Sequence, residues 1–244
     1  MLILAIDTAT EVLALALGDG EMVLAESSID AGRSHLEMLL PAAFDLLGST
    51  GMTIGDVTAI VVGTGPGTFS GLRVGIATAR ALAQSLEIPL FGFSTIEALA
   101  KELAFGIETS MPGWVLPLID ARRGQVFTQL YKKEGNERLK PESEVLCLDP
   151  DKLSGVLSVT AADAIRAGGN GALAYRQVLA DSGRLDLLDT DDRANRVRAA
   201  WHVGALNTVP DYKPGQLLDV LPIYVREPDA NKTILLKKRE PWLK

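Results

Sequence analysis

Two aspartates occupy matching places in this chain. Asp7 closes the apolar run Leu4-Ala5-Ile6, and Asp120 closes Leu116-Pro117-Leu118-Ile119. A carboxylate at a strand end can hold a hydrated Mg²⁺ beside phosphates. It can equally accept from nearby backbone N–H groups and make an Asx-turn. Between the two lies residues 63–75, GTGPGTFSGLRVG, directly after the apolar Ala59-Ile60-Val61-Val62. Strand, glycine-proline turn and helix start is the layout that aims backbone N–H groups and a positive helix end at an anion. The phosphate codes themselves do not fit. A dinucleotide fingerprint needs a third glycine where Thr68 or Ser70 stands, and a Walker loop needs a lysine that this segment lacks. The segment has the shape of an anion site without its reactive side chains.

Other chemistry is sparse. His35 and His202 are the only histidines, and neither has a metal-binding spacing. Ser70 lies outside any G-x-S-x-G elbow and has no base nearby in sequence. Cys147 is the only cysteine, which excludes an intramolecular disulfide and a cysteine-based metal cluster. Arg122 and Arg123 replace the glycines a backbone phosphate cradle would need and read as a solvated pair. Gly168-Gly169-Asn170-Gly171 fits a tight strand-to-helix turn better than an adenine pocket. The net charge of −7 leaves no general nucleic-acid footprint, and the basic Lys237-Lys238-Arg239 is too short to supply one. No apolar run reaches the roughly 18 residues of a membrane span, and no leader pattern follows Met1, so a cytoplasmic location is expected.

The elements that must position these residues come twice. Strands are expected over 2–6, 12–17 and 22–28, a helix over 35–47 with a Ser34/Glu37 capping box, a strand over 56–62, the helix Phe69–Leu86, an extended piece over 90–93 and a helix over 95–104. The pattern then restarts. Strands over 114–119 and 125–131 flank Asp120 as the first two flank Asp7, so an internal duplication is expected. A strand over 156–160, helices over 172–181 and 192–208 and a strand over 221–225 complete the second half. The domains are placed at 1–104, 105–225 and a tail at 226–244, with the helix over 192–208 a candidate to pack back on the first.

Gly71, Gly75, Ala79 and Ala83 recur every four residues on one side of Phe69–Leu86, so they share a face. Each glycine inside a helix costs about 1 kcal/mol relative to alanine, and close approach of something must offset that. The approaching element is either the chain's own sheet or helix, or another molecule.

Taken together, Leu4-Ala5-Ile6-Asp7-Thr8-Ala9-Thr10, residues 65–75, Ile119-Asp120-Ala121-Arg122 and Pro222-Ile223-Tyr224-Val225-Arg226 closely resemble the TsaB (YeaZ) family. The resemblance implies an α/β, actin-like (ASKHA) fold of two ribonuclease-H-like domains. It implies a part in making N6-threonylcarbamoyladenosine (t6A) at position 37 of tRNAs reading codons that begin with A. Members of that family pair with a catalytic relative, TsaD, which transfers threonylcarbamoyl from threonylcarbamoyl-AMP to tRNA; TsaE, an ATPase, joins the pair. The two metal-binding histidines of TsaD align with about Thr95 and Leu99, neither of which replaces an imidazole. No catalytic residue, metal or cofactor is therefore expected.

The pairing surface implied by the resemblance is the first two helices: His35, Leu36, Leu39, Leu40, Phe69, Gly71, Leu72, Gly75, Ala79 and Ala83. This turns the small-residue ridge toward a partner, with a homodimer through the same helices when the chain is alone and tRNA reached only through the complex. Asp7, Thr8, Thr10, Asp120, Gly169 and Gly171 are the positions of a vestigial nucleotide site. The competing expectation is an enzyme that uses Asp7 and Asp120 with Mg·ATP to transfer a phosphoryl or carbamoyl group.

Overall fold

The computed structural model describes residues 1–105, 107, 113–135, 138–160, 164–181, 183–190, 193–206 and 208–226. The first half runs β1 (Ile3–Asp7), β2 (Val12–Gly18), β3 (Val23–Asp30), α1 (His35–Ser49), β4 (Ala59–Gly63), α2 (Phe69–Leu86), β5 (Leu90–Phe93) and α3 (Thr95–Phe105). The second runs β6 (Gly113–Arg122), β7 (Gln125–Thr128), β8 (Tyr131–Glu134), β9 (Arg138–Pro141), β10 (Leu146–Leu148), α4 (Ser154–Leu157), β11 (Ile165–Gly168), α5 (Asn170–Ala174), α6 (Arg176–Ala180), β12 (Leu185–Leu187) and α7 (Ala200–Val203). The basic Lys237-Lys238-Arg239 lies outside the described residues.

The first sheet has the order β3-β2-β1-β4-β5, and the second contains β10-β7-β6-β11-β12. In both, the first three strands in chain order pair antiparallel and the last two join parallel. The duplication thus extends from the two Asp-ended strands to whole sheets. β1, β2 and β4 are buried throughout, as expected of central strands covered on both faces. The halves interlock through their last helices. α3 follows the first sheet but packs on β6, with Ile96, Leu99 and Leu103 in one core with Val115, Ile119 and Phe127. α7 follows the second sheet but packs on β1, β2 and β4. Arg198, just before α7, clamps Glu26 of β3 and Glu102 of α3 together, and Trp201 Nε1 donates to the same Glu102 at 2.7 Å.

Several expected elements change. No side-chain cap forms at Ser34, whose backbone is not extended (φ −95°, ψ 20°), so the capping box is absent. The strand expected over 156–160 is instead α4 and a turn. Leu153, Val156 and Leu157 are all buried, and that i, i+3, i+4 spacing suits one face of a helix. The strand over 125–131 breaks at Gln129-Leu130, where Leu130 N–H donates to Ser143 Oγ at 3.0 Å, and β7 and β8 both pair with β6. The helix over 192–208 shrinks to α7, and that over 172–181 divides into α5 and α6. Residues 221–225 form no strand. The segment is held instead by Arg80, which donates to the carbonyls of Leu217 and Val220, and by Ile223 N–H donating to Thr64 O.

Candidate functional site

The sequence-selected residues of the first half converge where β1 turns into β2. Asp7 ends β1 and is 1% exposed. One carboxylate oxygen accepts from Ala9 N–H at 2.8 Å, the Asx-turn expected of a strand-end aspartate. The other accepts from Thr95 Oγ1–H at 2.8 Å and lies 2.9 Å from His202 Nε2. Thr95 Oγ1 in turn accepts from Gly65 N–H at 3.0 Å. Three distant segments therefore meet on one carboxylate: the glycine turn, the start of α3, and α7. His202 is fully buried with its ring edge-on to Phe93.

The glycine turn packs against this constellation rather than opening to an anion. Thr68 caps α2 by accepting from Gly71 N–H, and its own N–H donates to Ala9 O at 2.7 Å. Thr8 Oγ1–H donates to Gly71 O at 2.7 Å. A Cβ added at Gly67 would overlap Ala9, one at Gly71 would overlap Thr8 O, and one at Gly75 would overlap Thr8 Oγ1. The glycines are required because the backbone of the β1–β2 turn lies directly on α2. The ridge Gly71-Gly75-Ala79-Ala83 is accordingly buried inside the chain. Its expected role in contacting another molecule is corrected: the close approach is internal. Gly75→Leu should lower thermal stability by about 1–3 kcal/mol or more through overpacking, read as a fall in melting temperature of the isolated chain. A variant that melted like the parent would show that α2 sits otherwise.

Asp120 occupies the equivalent place in the second sheet with different partners. It accepts from Arg122 N–H at 2.8 Å and Tyr175 O–H at 3.2 Å, and its N–H donates to Asn170 Oδ1. The Arg122 guanidinium lies 3.2 Å from Asp120 Oδ2 and also pairs with Glu11, whose hydrogen bond chiefly holds Arg122 above the usual arginine range. The fixed charge that a metal would supply is already present at Asp120. Arg123 and Gly124 lie between the paired Arg122 and Gln125 and both have positive φ, 57° and 78°, as a two-residue type I′ hairpin requires; Arg122 and Arg123 are both exposed, as expected of a surface pair, and Arg122 in addition bridges to Glu11 of the first half. Gly169 and Gly171 pack on the backbone of Leu118 and Ile119, so the glycine cluster is the tight turn.

Thr10 Oγ1 accepts from Val12 N–H and borders a cavity of about 150 Å³ that also touches Glu11, Asn170 and Arg196. That is below the roughly 300–1,000 Å³ of typical small-molecule sites. Thr95 is engaged on Asp7 and Leu99 is 1% exposed in the core. Among the described residues no group of three His, Cys, Asp or Glu side chains is placed to hold a metal ion. Nor is any helix among them long and apolar enough to cross a membrane. Burial pushes the Cys147 thiol up. At neutral pH the native chain should thus react with a thiol reagent several-fold more slowly than the urea-unfolded chain. The gap should narrow as pH rises, because only the thiolate attacks. Equal rates at neutral pH would contradict the placement.

The expected pairing surface divides. His35, Leu39 and Leu72 are buried with the ridge, whereas Leu36 is 73%, Leu40 39% and Phe44 49% exposed. Those three lie at i, i+4 and i+8 along α1 and form one apolar stripe. On α2, Phe69, Arg73, Ala77 and Ala81 face outward, and Phe69 stacks with the Arg73 guanidinium and Tyr224. Phe44 was missed by sequence reasoning; its four-residue spacing from Leu36 and Leu40 was the available signal. His202 was missed as Asp7's partner because nothing local links residues 195 positions apart.

Doubled sheets of one strand order, locked by exchanged helices, define an actin-like fold, here with its glycine turn packed on its own strand end. Against family models, residues 27–165 match "TsaD: tRNA N6-adenosine threonylcarbamoyltransferase". The chain belongs to that family, among its TsaB (YeaZ) members. The tRNA threonylcarbamoyladenosine biosynthesis protein TsaB of Bacillus subtilis is 37% identical over 151 residues, 61% of this chain and 64% of that one. TsaB of Escherichia coli is 36% identical over 151 residues, 62% and 64% of the two chains. The match thus spans somewhat under two thirds of these relatives. The solved structure of YeaZ from Pseudomonas aeruginosa superposes with a TM-score of 0.71 at 26% identity, covering 91% of this chain and 99% of that one.

Proposed function

We propose that this chain is a non-catalytic subunit of the machinery that makes threonylcarbamoyladenosine in tRNA. It pairs with a TsaD-like catalytic subunit, and a TsaE-like ATPase joins the pair; alone, it pairs with itself through the same surface. The observation that carries the reading is the fate of the two aspartates. Asp7 is closed in by His202, Thr95 and the glycine turn, and Asp120 by Arg122 and Tyr175. Asp7 ties α7 to the first sheet, Asp120 is held within the second half, and each carboxylate oxygen of both already has a partner. What the chain does offer outward is the stripe Leu36-Leu40-Phe44 beside the small outer face of α2 at Ala77 and Ala81. An exposed apolar patch of this kind fits a partner helix pair.

Docking there acts by favouring the catalytic subunit's active arrangement, a differential-affinity effect in which this chain makes and breaks no bond. The tRNA is reached through the partner, in keeping with the chain's net charge of −7. Size-exclusion chromatography of the chain mixed with a TsaD-like subunit is expected to show one co-eluting complex. Titration of the chain alone with Mg·ATP is expected to show no micromolar binding. Micromolar binding that disappears in Asp7→Asn would favour the enzyme instead.

A further inference from the structure

A second surface adjoins the Leu36-Leu40-Phe44 stripe on the β3 side of α1. A groove of about 530 Å³ runs between α1 and β3. Its floor is apolar, with Ile29, Met38, Ala42 and Leu46. Its rim is acidic. Glu26 is held by Arg198, but Glu37 and Asp45 meet no cation among the described residues. Pro41 also lines it. Because proline has no N–H, the Glu37 carbonyl one turn earlier lacks its intrahelical donor.

The groove's other wall is a strand edge. Among the described residues β3 pairs only with β2, so along its 8 residues the outer N–H and C=O groups are available for another strand. Apolar floor, open ladder and unneutralised acidic rim are three complementary features, and they specify one kind of ligand. We propose that this groove docks an extended basic segment of another protein, which adds a strand to β3. Its alternate side chains face the groove: apolar ones fill the floor, and Lys or Arg on either side of them on that same face pair with Glu37 and Asp45. This site uses other residues than the pairing stripe beside it and does not depend on how the aspartates are read.

The test uses the full chain and a synthetic ten-residue peptide whose groove-facing alternate positions carry valine with lysine on either side and whose other positions carry threonine, followed by calorimetry and amide hydrogen exchange. Binding is expected, with slowed exchange in β3. The Glu37→Lys/Asp45→Lys variant, both positions being exposed and its melting temperature checked, should weaken binding about tenfold. The same peptide N-methylated at every residue keeps its charge but cannot complete the ladder in either strand direction, and should not bind. Absence of binding would overturn the proposal. Equal binding of the N-methylated peptide would overturn it too, by reducing the effect to charge. So would a peptide-free dimer, seen by sedimentation, that protects the β3 amides, because the groove would then belong to a second copy.

Discussion

Replacing Leu36 and Leu40 with glutamate will leave the chain folded and remove its binding to a TsaD-like subunit. Both side chains are exposed in the isolated chain, 73% and 39%, so stability should change by no more than about 0.5 kcal/mol for each. In the complex they would lie in the centre of the docked face, where truncating a well-packed anchor costs about 2 kcal/mol or more. A carboxylate brought there without a partner adds its desolvation cost. The combined expectation is a loss of at least about 100-fold in affinity, measured by calorimetry or surface plasmon resonance, at an unchanged melting temperature. Undiminished binding would place the partner elsewhere. The pairing with Gly75→Leu is informative, since that variant should lose stability first and affinity only as a consequence.

Asp7→Ala should have the largest effect on folding. It leaves the Thr95 hydroxyl and the fully buried His202 ring without their partner, and it opens a gap against Gly63. Each buried polar group left without a partner costs about 1–3 kcal/mol, and two are left here, so the total is a large share of the roughly 5–15 kcal/mol that stabilises a domain. For a chain of this size that lowers the melting temperature by about 10 °C. His202→Ala should be non-additive with Asp7→Ala, because both remove the same clasp between α7 and the first sheet. An Asp7→Ala chain as stable as the parent would contradict the structural role assigned here.

Much of this architecture could be read from residue patterns alone. The helix Phe69–Leu86 follows from a glycine-proline turn after an apolar strand and carries a visible small-residue period. The duplication follows from two Asp-ended apolar runs with the same continuation. Local pattern failed where a partner lies far along the chain. Small residues four apart announce that something comes close, but not that the visitor is the turn at Thr8 and Ala9. Asp7 announces an Asx-turn, but not that His202 will arrive from the other half. The second half was less legible because its helices are short. α4 has 4 residues, too few to show a period, and was mistaken for a strand. The family resemblance pointed to the first two helices as the pairing surface, but among the residues it named it included the face that packs inside the chain.

The most direct test is reconstituted synthesis of threonylcarbamoyladenosine on tRNA from threonylcarbamoyl-AMP, comparing the TsaD-like subunit alone, this chain alone, and both. No product is expected from this chain alone and product only when both are present, with the Leu36→Glu/Leu40→Glu variant failing to support synthesis. Modified tRNA formed by this chain without the other subunit, or full activity of the other subunit without this chain, would contradict the proposed function.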